Sequence, residues 1–414
     1  MAPMDRRTLL GAGLMLPALA LSGCAAPTAT LPVPAAMAAV PIMPLSKVRR
    51  EQRGGSRTLV LVELAGGNDG LNTIVPQADE LYAKLRPTIG LAKDDTIAVG
   101  GGMAFNAALR PLMPVWERGD LAVVLGVGYP RPNLSHFRSI EIWETASDSE
   151  EILQEGWLSV AIAAHPALSR GATDADAIVI GDGSLGPVVG NRTRVVTMTE
   201  PRNYKLAAAR VADIAGRPGS DALAHLVRTQ QTTAETARRL SAKIIAANRF
   251  AKALPTSGLG RKLATVADLM ADGIDAPVFK VTLSGFDTHI NQRGRQEPLL
   301  TQLAAAIAGF RDAAMQIGRW DSTVMLIYSE FGRRVGENES RGTDHGTAGP
   351  VFIAGGAISG GFKGRQPRLD DLDDGNLRHN VDFRQVYASV LAEWWGQGDN
   401  GLRKRGFTPL DLVA

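Results

Sequence analysis

The stretch 323–354, TVMLIYSEFGRRVGENESRGTDHGTAGPVFIA, decides how this chain is read. It opens on the apolar run Thr323–Tyr328 and closes on another that starts at Pro350. Short apolar runs bounded by glycine are the pattern of strands buried on both faces. Between the runs lie an acid, two arginines and an Asp-His pair in a glycine-rich segment. Open α/β sheets bind ligands beyond the carboxyl ends of their strands, so ionisable residues gathered there predict a site. The expectation is a metal-dependent hydrolase or a relative of one, with the rest of the chain supplying the missing groups.

Outward from that stretch, apolar runs predict strands at 58–64, 121–127, 177–182, 195–198 and 277–283. Helical spacing marks 104–118, 135–145, 157–164, 221–254, 259–272, 297–317 and 383–395. Such alternation implies a mainly parallel α/β sheet sandwiched by helices, here one domain over 57–414. The region 146–275 carries no Asp/His constellation and reads as an insertion or cap that shapes the pocket. With 414 residues the chain can bury a large core, and 45% hydrophobic with 21% charged residues is ordinary for a globular protein. A net charge of +3 without a Lys/Arg block argues against a nucleic-acid binder.

At the N-terminus, Arg6-Arg7 precedes an apolar stretch, 9–21, too short to span a bilayer. This pattern resembles a twin-arginine export signal, read by the translocation machinery. Leu21-Ser22-Gly23-Cys24 resembles a lipoprotein signal that would acylate Cys24, the only cysteine. The rival is cleavage near the Ala-rich run 34–39, with Cys24 discarded. Residues 1–23 thus read as signal and 24–56 as an Ala/Pro-rich tether. The expected location is the periplasm or cell envelope, with membrane contact only through a lipid anchor.

Asp287 and His289, two apart at a strand end, point to one side and make a plausible divalent-metal pair. Asp344 and His345 are adjacent, so their side chains diverge. His345 is expected to face the centre, and Asp344 to orient an imidazole or cap the turn. Glu330 directly follows a buried strand, where it would coordinate a metal or pair with Arg333 or Arg334. Asp69, beside Asn68 after the first strand, is a fourth metal candidate or a turn residue. Ser135 is a helix N-cap, or a nucleophile placed where helix N–H groups favour an anion. His136 is a ligand, a base or a loop residue. His165, His225 and His379 receive no role. No Gly-x-Ser-x-Gly elbow, Walker loop or dinucleotide fingerprint occurs.

Six collinear segments, LAGGNDGLNTIVP, GYPRPNLSHFRSIEIWETA, SGFDTH, YSEFGRR, GTDHGTAGPVFIAGG and VDFRQVYASVLAEWW, resemble an exported bacterial family called domain of unknown function 1501. That family is placed by fold with the alkaline phosphatase and sulfatase superfamily. The resemblance implies an alkaline phosphatase-like fold and a hydrolase of phosphate or sulfate esters, with a small anionic ester as substrate. It further implies Ser135 as nucleophile and one or two divalent metals (Zn, Mn, Ca or Mg). Asp287, His289 and His345 would hold one ion, and Asp69 with Glu330 the other, while Arg333 or Arg138 grips anionic oxygens. Asp-x-His replaces the superfamily's longer Asp-x-x-x-His spacing, and Phe331 stands where an imidazole is expected. That departure motivates the alternative, a catalytically inactive envelope binding or assembly protein on the same fold.

Overall fold

Strand β1 (Thr58–Ala65) is buried along nearly its whole length. Leu59 and Leu61 enter one hydrophobic core, and Val60, Val62 and Leu64 enter a second on the opposite face. Burial on both faces is why Leu59–Val62 shows a continuous apolar run rather than alternation. The computed structural model describes residues 57–165, 168, 173–181, 184–208, 221–245 and 248–414, apart from the side chains of 221–229. Arg6, Arg7 and Cys24, which carry the expected export signal and lipid anchor, lie outside these residues, as does the His225 side chain.

The sheet continues with β2 (Leu121–Gly128), β3 (Ala177–Ile180), β4 (Val195–Met198), β5 (Val278–Ser284), β6 (Thr323–Tyr328), β7 (Gly349–Ala354) and β8 (Gly361–Gly364). A ninth strand, β9 (Val381–Asp382), adds beside β2. Their order is β8–β2–β7–β6–β1–β5–β3–β4. β7 runs antiparallel to β2 and β6, and the other pairings are parallel. The carboxyl ends of β1, β2, β5 and β6 therefore share one edge with the amino end of β7.

Helices α1 (His136–Thr145), α2 (Trp157–Ala164), α3 (Asp221–Lys243), α4 (Gly258–Ala271), α5 (Gln292–Gln316) and α6 (Phe383–Ser389) accompany the sheet. Leu263 of α4 and Leu303, Ile307 and Phe310 of α5 pack in the core that receives Val60. Ile142, Trp157 and Tyr387, from α1, α2 and α6, pack in the other. The architecture is a mainly parallel sheet flanked by helices.

Two expectations are corrected. The region 146–275 does not stand apart from the sheet, because its β3 pairs with β5 and its β4 with β3. Segment 104–118 is not one helix: Met103–Asn106 forms a strand in a small sheet, followed by a 3-10 turn containing Pro111 and the short helix Met113–Glu117. Proline lacks the N–H that a continuous helix requires.

An ion pair joins two neighbouring strands inside the sheet. Lys280 of β5 is fully enclosed and donates to Glu63 of β1 at 2.6 Å. Nearby Glu144 of α1 is pushed up to about 7, because its burial outweighs the pull of Lys280.

Candidate metal centre

Four loops at the shared sheet edge deliver the ionisable residues. Gly66 and Gly67 turn the chain out of β1 with φ of 121° and 74°. A Cβ on Gly66 would lie 2.4 Å from the Asp287 amide, and one on Gly67 2.4 Å from the Phe331 ring, so only glycine fits. The β5 loop brings Asp287 and His289, the β6 loop Glu330, Phe331 and Arg333, and the segment before β7 brings His345. His136 begins α1.

Three imidazoles converge on one oxygen. Asp287 Oδ1 lies 3.0 Å from His289 Nε2, 3.2 Å from His345 Nε2 and 3.5 Å from His136 Nε2. His289 Nε2 and His345 Nε2 are 3.0 Å apart. His136, Asp287 and His345 offer ligand atoms within 4.8 Å of one another.

The other nitrogen of each ring is taken. His345 Nδ1 lies 2.8 Å from the Leu134 carbonyl, which can only accept, so this nitrogen carries the proton. His136 Nδ1 lies 2.7 Å from Glu330 Oε1, and His289 Nδ1 lies 3.3 Å from Asp344 Oδ1. Donation to these carboxylates leaves all three Nε2 atoms as bare acceptors facing a fourth acceptor. His136 Nε2 is buried and has no hydrogen-bond partner.

The charge states of Asp287 and His345 fit this arrangement, and that of His136 pulls against it. Burial opposes ionisation of Asp287, but the Arg333 guanidinium and the neighbouring imidazoles outweigh it and hold the carboxyl at about 2. Burial pushes His345 down, keeping its ring neutral, whereas the hydrogen bond that His136 donates to Glu330 raises His136 and favours its second proton. Convergent lone pairs beside an ionised carboxylate are repulsive unless a cation or added protons sit among them. Carboxylates and carbonyls behind imidazoles are the usual outer partners of metal-bound histidine. The residues present fit a divalent cation, and Asp287, with its side chain 48% exposed, leaves the cluster open to solvent.

Several expected roles are corrected. Asp69 does not reach the cluster: its carboxylate is buried and bound to both terminal nitrogens of Arg86, at 2.5 and 3.0 Å, with Gln292 as a further donor. Asn68 turns its side chain to Thr73 and Gln296. Glu330 stands behind His136, also accepting from the Gly66 amide and the Ser329 hydroxyl. A second metal position made from Asp69 and Glu330 therefore does not form.

Arg333 is not available to a substrate anion. Its guanidinium is fully buried and donates to the carbonyls of Gly66, Gly67, Phe286 and Thr343 and, at 2.6 Å, to Asp287 Oδ1. Arg138 is held by Glu141 and the carbonyls of Asp148, Ser149 and Glu151. Ser135 occupies the N-cap position of α1 without a capping hydrogen bond, and it is exposed. Phe331 is buried, its ring centroid 4.8 Å from those of both His136 and His345.

Sequence reasoning did not find the Leu134 carbonyl, Arg86 or Gln292. A carbonyl leaves no trace in a sequence, and nothing in the local pattern marked Arg86 or Gln292 as partners of Asp69.

A family model described as a protein of unknown function, DUF1501, matches residues 125–393, a span that includes all four cluster residues. Among solved structures, the chain is similar to a protein in the alkaline phosphatase superfamily from Vibrio parahaemolyticus. That likeness has 11% identity and a TM-score of 0.39, covering 82% of this chain and 67% of that one. It is similar to the PsFucS1 sulfatase from Pseudoalteromonas sp. at 8% identity and a TM-score of 0.39, covering 89% and 74%. It is also similar to the C-terminal periplasmic domain of EcEptC from Escherichia coli, in complex with Zn, at 9% identity and a TM-score of 0.34, covering 73% and 74%. No curated protein matches the chain. At these identities the likeness does not extend to activity.

Proposed function

The chain belongs to the DUF1501 family, and we propose that it is an exported, metal-dependent hydrolase of phosphate or sulfate esters working with one divalent cation. The observation that carries this reading is the meeting of three Nε2 atoms at Asp287 Oδ1, with the buried His136 Nε2 lacking a hydrogen-bond partner. His136, His289, His345 and Asp287 hold the ion. A bound divalent cation would supply Lewis acidity toward the ester oxygens. Glu330, Asp344 and the Leu134 carbonyl keep the three imidazoles in the tautomer that presents Nε2. Ser135, between Leu134 and His136, offers an uncommitted hydroxyl as nucleophile, and the first-turn N–H groups of α1 favour the anion that develops there. The half-exposed side of Asp287 is where a small anionic ester enters.

Export rests on Arg6-Arg7 and the apolar stretch after it, read by the twin-arginine machinery, with Cys24 as the point of lipid attachment in the periplasm or envelope. Among the described residues no helix is long and apolar enough to cross a membrane.

The test is metal analysis of the purified protein combined with an ester panel. One bound ion per chain and a hydrolysis rate that disappears in Ser135→Ala are expected. Protein free of any ion, with His289→Ala behaving as wild type, would sink the reading. A second reading, a non-catalytic envelope binding protein, is favoured by one observation: Arg333 and Arg138 are both consumed by internal contacts. It predicts cation binding without turnover and a stable partner recovered from envelope extract.

A further inference from the structure

We infer that the cluster selects an imidazole-preferring transition cation of the Zn²⁺ type and rejects Mg²⁺ and Ca²⁺. This rests on the metal role proposed above and narrows it. The donor set is three imidazole nitrogens and one carboxylate. Imidazole suits Zn, Cu, Fe and Ni, whereas carboxylate, carbonyl and water suit Mg, Ca and Mn. Calcium takes about six to eight oxygen ligands, and magnesium keeps a near-octahedral oxygen shell. The oxygens that would complete such a shell are committed elsewhere. Glu330 is turned to His136, Asp344 to His289 and Asp69 to Arg86.

Asp287 itself is shared. Its Oδ1 accepts from Arg333 Nη2 at 2.6 Å, so part of its charge is already balanced by a buried guanidinium. That loss weakens the attraction for a hard cation, whose binding depends on anionic oxygen, more than for one held mainly by imidazole nitrogen. The Phe331 ring lies against His136 and His345 and covers one side with carbon instead of further oxygen ligands.

The spacing around Asp287 Oδ1 is close to that of a small shell, and His136, in a group whose ligand atoms lie within 4.8 Å of one another, would move inward to complete it. Ligand atoms at roughly 2.0–2.1 Å from a tetrahedral Zn²⁺ lie about 3.3–3.4 Å from one another. The separations at Asp287 Oδ1 are 3.0, 3.2 and 3.5 Å, and His289 Nε2 lies 3.0 Å from His345 Nε2. His289 also receives a longer contact of 3.4 Å from Arg333 Nη1. This places the guanidinium against two members of the set.

The experiment is calorimetric titration of metal-free full-length protein with Zn²⁺, Co²⁺, Mg²⁺ and Ca²⁺, each alone, together with visible spectra of the Co²⁺ form. Zn²⁺ and Co²⁺ should bind one per chain, roughly 100-fold or more tighter than Mg²⁺ or Ca²⁺. The Co²⁺ form should show the intense visible bands of a four-coordinate ion. His289→Asp, at a partly exposed position, should cut the Zn²⁺ preference over Mg²⁺ by about ten-fold. Mg²⁺ or Ca²⁺ binding within about ten-fold of Zn²⁺, or an unchanged preference in His289→Asp, overturns the selectivity while leaving a metal role intact. Binding of no cation overturns both.

Discussion

Two polar groups sit at the same sheet edge, made of similar residues and in opposite states. Around Asp69, every strong group has found its complement. Arg86 spans its carboxylate and also reaches Asn72 and the carbonyls of Arg334 and Val335, while Gln292 and Gln296 bond to Asp69 and Asn68. Around Asp287, acceptors face acceptors, one imidazole nitrogen has no partner, and the carboxylate is half open to solvent. The difference teaches that an acid after a strand is read by what satisfies it. Asp69 is a closed structural pair, and Asp287 belongs to a set of facing acceptors that the proposed cation would complete.

The sharpest way to break this contrast is through stability. Removing Arg86 or Asp69 leaves its partner buried and charged, so Arg86→Ala or Asp69→Ala should lose about 3–5 kcal/mol in urea unfolding. Asp287→Ala, measured without added metal, should lose less, about 1–2 kcal/mol, because the half-exposed carboxylate is only one acceptor of the buried Arg333, which keeps four backbone carbonyls. Equal losses at both sites would end the contrast.

Metal affinity should rank the two groups the other way round. His345→Ala and Asp287→Ala should weaken Zn²⁺ binding roughly 100-fold, about 2.7 kcal/mol, in calorimetry. Arg86→Lys, if folded, should bind as wild type. Glu330→Gln keeps the shape but exchanges the acceptor behind His136 for a neutral amide. A smaller loss of about ten-fold is expected, with the fold unaltered in circular dichroism.

The smallest effect probes a third buried charge. Glu144 has a folded value of about 7, above its ordinary 4.5, so the folded state holds its proton more tightly than the unfolded one. Its contribution is fully present below pH 4.5 and is lost as pH rises through about 7. Glu144→Gln should therefore gain on the order of 1 kcal/mol at pH 8 and nothing near pH 4.5, judged from paired unfolding curves. A gain of the same size at both pH values would show that packing, not ionisation, is responsible.

Much of the fold was legible before any coordinates. The runs 58–64, 121–127 and Thr323–Tyr328 are almost wholly apolar, Glu63 being the charged exception, because both faces of their strands are covered, and such runs have few alternative readings. Segment 104–118 misled because its apolar residues share helical spacing with a strand followed by prolines. The region 146–275 seemed separate because it lacks ionisable motifs, yet its short strands complete the sheet. In the site, Asp287, His289 and His345 could be nominated as a group from position alone. The partition of Asp69, Glu330 and Arg333 could not.

By itself, then, the sequence determined which segments are buried strands and which loops leave them toward one edge, because strand burial and turn chemistry are local properties. The tertiary structure alone decided which of the nominated side chains are spent. An arginine is a substrate clamp or a brace according to whether its five N–H groups already have acceptors, and Arg333 finds them on three separate segments. His136 joins His289 and His345 only because α1, the β5 loop and the approach to β7 end within a few ångströms of Asp287. Phe331, which first looked like a missing ligand, is the surface on which two of those imidazoles rest.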